Sequence, residues 1–262
     1  MTESPSPASV WNNRHSYLMT LPTDLKKRPQ ELTHRLWRQL AVSAIAFGVR
    51  CAERKKFAQG LDLLRTAERF SQRADLDRRT NNELAAYVAD SYSFYYLRRN
   101  KAAAALEYSQ RALKAHQRLR NWPHFAKCLL HESMILSHLG RHDESLASLA
   151  GVLAMVRRGS GGSSSNAQQL CMVAVCYHNI AAEQLMAGRF AEACASSQNA
   201  RKLARLCLSY SNRWLHHFEG THKLALSGLA ANMAESDAAA GRFHGEAQAE
   251  FLLKLSEELC ST

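Results

Sequence analysis

Beyond residue 30 the chain has one proline, Pro123; the other four (Pro5, Pro7, Pro22, Pro29) crowd the amino-terminal stretch. Proline removes a backbone donor and clashes with the preceding helical turn. Residues 30–122 and 124–262 are therefore open to long helices, and their abundance of Ala, Leu, Arg, Glu and Gln favours them. Long apolar runs are also missing: none approaches the roughly 20 residues that span a bilayer, and the first twenty residues lack a secretory apolar core. The seven cysteines are odd in number, scattered, and mostly set in apolar helical runs. That usage suits reduced thiols acting as small hydrophobes in a cytosolic protein, not a disulfide framework.

Signatures of catalysis are lacking as well. The glycines between Gly159 and Gly162 have no following Lys-Ser/Thr to cradle a phosphate. His131-Glu132 opens a zinc-protease-like word, but the partner position holds Ile135, which fails the i, i+4 geometry a metal demands. Cys171 and Cys176 do not have zinc-ribbon spacing. No nucleophile elbow or kinase signature occurs. The expectation is a protein with no enzymatic activity, no cofactor and no metal.

What is present is a globular composition, 46% hydrophobic and 22% charged, sufficient to bury a core and unlike that of disordered chains. Residues 1–120 carry 22 Lys+Arg against 11 Asp+Glu, whereas residues 121–262 carry 12 of each. The whole net charge of +11 therefore sits in the first half, a field that attracts acidic partners. Its members include Arg35, Arg38, Arg54-Lys55-Lys56, Arg78-Arg79 and Arg98-Arg99. The blander reading of such residues is the solvated face of helices.

Internal repetition is the strongest signal. Leu139-Gly140-Arg141-His142, Gly188-Arg189-Phe190 and Gly241-Arg242-Phe243 share one wording, each glycine ending one apolar-periodic run before the next begins. That is the cap glycine and tight turn of a helical hairpin. Lys55-Lys56-Phe57 and Asn100-Lys101-Ala102 occupy equivalent places. Setting the five turns in register aligns Gly48, Ser93, Ser133, Ala181 and Ala234 in the first helix of each pair. Twelve residues on come Gly60, Ala105, Ser145, Ala193 and Glu246, and seven further Ala67, Ala112, Val152, Ala200 and Leu253. Small residues at fixed places let two helices approach closely. Connecting loops are expected at 74–82, 120–123, 157–168 and 210–221. The Gly/Ser tract Gly159–Ser165 is best taken as a plain spacer.

This pattern resembles the tetratricopeptide superfamily, most closely over residues 83–208. Turn-to-turn spacings of 45, 40, 48 and 53 residues exceed the basic repeat of about 34. They are similar to the longer-helix variety of kinesin light chains. The resemblance implies an all-α fold, an α-solenoid of about five helical hairpins wound as a right-handed superhelix over residues 25–262, behind an irregular arm at 1–24. The apolar residues of that arm (Trp11, Tyr17, Leu18, Met19, Leu21) are candidates to dock on the helical body.

The resemblance also implies a concave groove lined by the first helices. Asn179 stands where many such repeats carry a peptide-binding Asn, while Ala46, Ser91 and His131 hold the matching places; the two-carboxylate clamp of chaperone-binding members is therefore missing. Tyr92 and Tyr96 are expected inside, with Tyr87 and Phe94 toward the groove as aromatic anchors. Leu130, Met134, His138 and His178 complete the candidate partner groove. His131 and His138 share a helical face that His178 is expected to approach, as polar groove residues in preference to a metal site. His216, His217 and His222, with Trp214 and Phe218, are expected in a loop, at the surface or packed between repeats. The function implied is a protein-binding scaffold or adaptor whose basic half meets an acidic surface or tail. The acidic tails of tubulin are one candidate, and the expected location is the cytoplasm, with the cytoskeleton or flagellum as the finer option. The alternative is an RNA-associated helical repeat using the same charge, without the aromatic-basic interleaving of known RNA modules.

Overall fold

A computed structural model describes residues 29–73, 76–158, 166–239 and 254. Among them every regular element is an α-helix: α1 (Pro29–Glu53), α2 (Phe57–Ser71), α3 (Arg78–Arg98), α4 (Ala102–Arg118), α5 (Trp122–His138), α6 (His142–Arg157), α7 (Asn166–Met186), α8 (Phe190–Cys207) and α9 (Trp214–Ala239). The arm at 1–24, the Gly/Ser tract, the turn at Gly241, Glu246 and Leu253 lie outside the described residues. The chain divides into two compact units, Met1–Val88 and Ala89–Thr262, the division falling inside α3.

In the first unit α1 and α2 form a hairpin held by two glycines. A Cβ on Gly60 would stand 3.1 Å from the Gly48 carbonyl oxygen, and one on Gly48 would stand 3.0 Å from Leu64 Cδ2. Behind this crossing lies a core of Trp37, Ala41, Leu76 and Leu84, with Phe70 against it. The Arg73 guanidinium covers the Trp37 ring at 3.8 Å, so its charge stays at the rim while its stem adds apolar cover.

The second unit repeats the crossing with a different chemistry. Ser93 Oγ donates to the Ala105 carbonyl at 3.0 Å, and Ser145 Oγ donates to the Ser133 carbonyl at 2.9 Å. Both bonds join residues twelve apart, at the two aligned positions of their hairpins. A serine therefore satisfies its own hydroxyl across a contact too close for a larger side chain. Ala181 and Ala193 fill the same positions in α7 and α8 with no exposed surface. The third column, Ala112, Val152 and Ala200, is buried throughout. Cores of Ala126, Leu149, Val152 and Cys176, and of Ala174, Ala200, Ala204, Leu215 and Phe218, run from one hairpin to the next.

Five helix ends among the described residues are closed by one device. Lys55, Asn100, Arg120, Gly140 and Gly188 have φ of 60°, 58°, 53°, 71° and 69°. After each, the following amide bonds five residues back: Lys56 to Cys51, Lys101 to Tyr96, Asn121 to His116, Arg141 to Leu136 and Arg189 to Gln184, at 2.8–2.9 Å. These are Schellman caps, which satisfy carbonyls the helix leaves unpaired.

Several expectations need correction. The loop expected at 74–82 ends early, because the Asp77 carboxylate accepts the Thr80 amide at 2.9 Å and starts α3 at Arg78. The loop expected at 210–221 is mostly helix: Asn212 Oδ1 accepts the Trp214 amide, and Leu215, Phe218, His222, Ala225 and Leu226 then turn one face inward. His216, His217 and His222 thus belong to α9, with His222 and Phe218 buried. On α3, Tyr95 is the fully buried tyrosine beside Tyr92, whereas Tyr96 is half-buried and stacks on Tyr108. In the long α9, Ala234 is half-buried; α8 meets this helix at Gly228, where a Cβ would fall 2.3 Å from the Phe190 ring.

Two stability changes of opposite sign test this account. Gly60→Val should destabilise by about 1–3 kcal/mol through overpacking against the Gly48 backbone. Arg120→Gly should stabilise by about 1 kcal/mol by relieving a left-handed non-glycine residue. Urea midpoints that move together, or not at all, would refute it.

Candidate binding face

The first helices of the second unit carry the residues singled out for the groove. On α5, Leu130, Met134 and His138 recur at intervals of four, on one side of the helix. Met134 is 44% exposed, His138 is exposed and Leu130 half-buried. Phe94 of α3 is half-buried, its ring 6.2 Å from that of His131. On α7, Asn179 is half-buried with its amide nitrogen lacking a hydrogen-bond partner. His178 packs edge-on against Phe218 of α9, ring centres 4.9 Å apart; it serves the joint between hairpins. Tyr87, half-buried, lies in the first unit. Among the described residues no group of three or more His, Cys, Asp or Glu is placed to hold a metal.

Sequence reasoning missed the polar pairs that tie hairpin to hairpin. His131 Nδ1 lies 3.1 Å from Asp90 Oδ1, and His142 Nδ1 lies 2.7 Å from Glu183 Oε2. Each pair spans 41 residues, about one repeat, which is the only trace it leaves in the sequence. Glu183 is 4% exposed, and its Oε1 lies 2.9 Å from Ser145 Oγ, whose one proton it shares with the Ser133 carbonyl. Burial works against the charge on Asp90, but the bond and charge of His131 prevail and hold the carboxyl below its ordinary pKa. Burial likewise opposes the imidazolium of His131, yet Asp90 raises its pKa above the ordinary value.

Between α8 and α9 sits a denser network. Arg201, 3% exposed, pairs with Glu219 at 2.6 Å, and Arg205 meets the other carboxylate oxygen at 2.9 Å. Beside them the His222 Nδ1 lies 2.8 Å from Ser197 Oγ. Burial first, and the Arg201 charge second, push the His222 pKa down to about 4. His116, fully buried against His124, is also pushed down to about 4, by burial and then by that second imidazole. The Cys176 thiol, which donates to the Leu149 carbonyl, is raised to about 12 by burial; it acts as a small apolar residue.

The basic residues divide by compensation. In the first unit Arg35 pairs with Glu31 at 3.2 Å, and Arg38 and Arg79 share Glu83 at 3.7 and 3.4 Å. Arg54, Lys55, Lys56 and Arg78 are exposed and make no ion pair among the described residues. In the second unit Arg98 and Arg99 are exposed, Arg99 donating to the Tyr95 hydroxyl. The expected field thus concentrates at the α1–α2 turn. Two open hollows are present: one of about 390 Å³ lined by Arg35, Arg38, Gln39 and Val42, and one of about 230 Å³ around Phe190 and Asn232. No helix among the described residues is long and apolar enough to cross a membrane.

No protein-family model matches the sequence, and neither does any curated protein. Among solved structures, the fold is similar to the crystal structure of BtubC (BKLC) from P. vanneervenii, with a TM-score of 0.59 and 16% identity over 92% of each chain. The likeness is one of fold: an all-helical repeat of adjacent helical pairs.

Acid should destabilise this protein through its buried imidazoles. Unfolded, His116 and His222 titrate near 6.5; folded, each titrates near 4. Their stabilising contribution is complete above pH 6.5 and is lost as pH falls toward 4, by as much as about 3 kcal/mol each. The Asp90–His131 pair runs the other way, its histidine contribution being full below pH 6.5 and lost as pH rises past the raised pKa. Chemical denaturation between pH 4 and 7 should show a steep net loss in acid that His222→Gln flattens. Separately, Glu219→Gln should cost about 3–5 kcal/mol by stranding Arg201, while Arg205→Ala should cost under about 1 kcal/mol because that residue is 43% exposed. Equal costs would contradict the assignment of the buried pair.

Proposed function

We propose that the chain is a non-enzymatic scaffold that holds a partner polypeptide on the first-helix face of its second unit, with its basic turns meeting an acidic surface or tail. The observation that carries this reading is the α5 face. Exposed Met134 and His138 stand beside half-buried Phe94 and Leu130, so that apolar and hydrogen-bonding groups alternate on an open surface. Adaptable methionine and rigid phenylalanine suit the capture of a peptide. Asn179 holds the place where the resemblance to tetratricopeptide repeats puts a peptide-binding Asn, and its buried amide nitrogen has no bond within the chain. His178 belongs to the same face through its neighbour, but its ring is engaged with Phe218, so its role is to fix the shape of the surface.

The charge supports an acidic partner. Arg54-Lys55-Lys56 forms three adjacent exposed cations that make no ion pair among the described residues. Arg78 and, in the second unit, Arg98 and Arg99 extend the same preference. The resemblance of the repeat spacing to that of kinesin light chains favours an adaptor at the cytoskeleton or flagellum, with the acidic tails of tubulin as the first partner to try. RNA offers the same charge but needs stacking platforms or base-edge contacts besides.

Co-sedimentation with microtubules across a salt series is the test, run beside microtubules stripped of their acidic tails. Tail-dependent pelleting near 0.15 M salt is expected, weakening with ionic strength and reduced about tenfold in Arg54→Glu/Lys55→Glu/Lys56→Glu. No pelleting at any salt removes the microtubule; pelleting abolished by any polyanionic RNA transfers the basic turn to nucleic acid.

A further inference from the structure

Among the described residues nothing covers the side of the first helix that its counterparts hide. In the repeat register α1 residues lie 85 before their α5 equivalents and 133 before those of α7. Leu40 and Ser43 thus correspond to Phe125 and Cys128, and these pack against Ala112 and Leu113 of the preceding α4. Ser43 also corresponds to Cys176, whose thiol reaches the Leu149 carbonyl of the preceding α6. In the second unit this side of a first helix is therefore the seat of the preceding hairpin's second helix. On α1 the same side shows Leu36 at 55%, Leu40 at 40% and Phe47 at 56% exposure. With Ser43 they follow intervals of four, three and four, one stripe about three turns and roughly 16 Å long.

The stripe ends in charge. Arg50 lies over the Phe47 ring at 5.8 Å, and Arg54 follows one turn later on the same side. Neither makes an ion pair among the described residues, and Lys55 and Lys56 continue the positive end. We propose that this side of α1 is a docking surface for an acidic amphipathic helix of a partner protein. Leucine-like residues of that helix cover Leu36, Leu40 and Phe47, and its carboxylates meet Arg50 and Arg54. The site is separate from the α5 face and does not depend on it.

Charge selects this occupant over two others. The chain's own segment Met1–Arg28 carries Arg14, Lys26, Lys27 and Arg28 against Glu3 and Asp24, the wrong sign for the cationic end. A second copy of α1 brings Glu31 and Glu53 but also Arg35, Arg38 and Arg50, so like charges outnumber the acids it offers. A helix is the right shape because a helix fills the equivalent seat on α5 and on α7.

The test uses the full chain and two fluorescent 18-residue helical peptides with one leucine face, the opposite face being glutamate in one and lysine in the other. Anisotropy should show binding of the glutamate peptide and at least about tenfold weaker binding of the lysine peptide. Phe47→Asp should weaken the glutamate peptide about tenfold or more, and Arg50→Glu should weaken it severalfold and remove much of its salt dependence. Both positions are exposed, so circular dichroism should report an unchanged fold. Equal affinity for the two peptides, or indifference to both substitutions, overturns the proposal. A dimer in sedimentation that Phe47→Asp dissolves would give the surface to a second copy. A tenfold gain in peptide affinity from Leu18→Ala would give it to the chain's own amino-terminal segment.

Discussion

Everything else in this protein depends on how closely the two helices of each pair approach at one crossing point. At Gly48 and Gly60 the backbones nearly touch. At Ser93 and Ala105, and again at Ser133 and Ser145, a hydroxyl bridges the helices directly to a carbonyl; at Ala181 and Ala193 two methyl groups fill the gap. Three chemistries meet one steric demand. Close approach fixes the angle of the pair, and the angle decides which side of each helix meets the next hairpin. The left-handed caps serve the same end, since they reverse the chain in two residues and leave no slack between helices.

Between hairpins the contacts are of another kind. Apolar clusters around Cys176 and Phe218 supply the bulk of the burial, but buried or half-buried ionic groups mark the joints: Asp90 with His131, Glu183 with His142 and Ser145, Glu219 with Arg201. Such pairs gain little net stability over apolar residues of equal volume, yet removing one partner strands the other. They therefore penalise a slipped register more than they reward the correct one. They also make the joints responsive to pH in both directions, because two buried histidines resist protonation while His131 is held by a carboxylate.

Exposure separates surfaces that sequence treats alike. Leu36, Leu40 and Phe47 follow the same periodicity as the buried side of any helix here, and Met134 sits in a run indistinguishable from core. What frees them is the absence of a neighbour among the described residues, a fact about three-dimensional order. The positive half is similarly thinned: Arg35, Arg38 and Arg79 are compensated by Glu31 and Glu83, which concentrates the effective charge on the α1–α2 turn.

The sequence by itself determined the helical class, the register and the turns, because these follow from local rules. Proline is excluded, one residue per turn takes the left-handed conformation, and small residues recur at the twelve-residue interval that Ser93–Ala105 and Ser133–Ser145 then make physical. It also marked the cysteines as small apolar residues, of which Cys128 and Cys176 are buried, and Tyr92 as an inward ring. Helix starts at Arg78 and Trp214 were less legible, since each rests on one side chain, Asp77 or Asn212, folding back on an amide. Only the tertiary structure decided that His178 faces Phe218, that Gly228 makes room for Phe190, that Asp90 and His131 meet, and that one side of α1 is left open. Those contacts join residues about 40 apart or lack a partner altogether, and no periodicity within a helix encodes which neighbour, if any, will stand across from it.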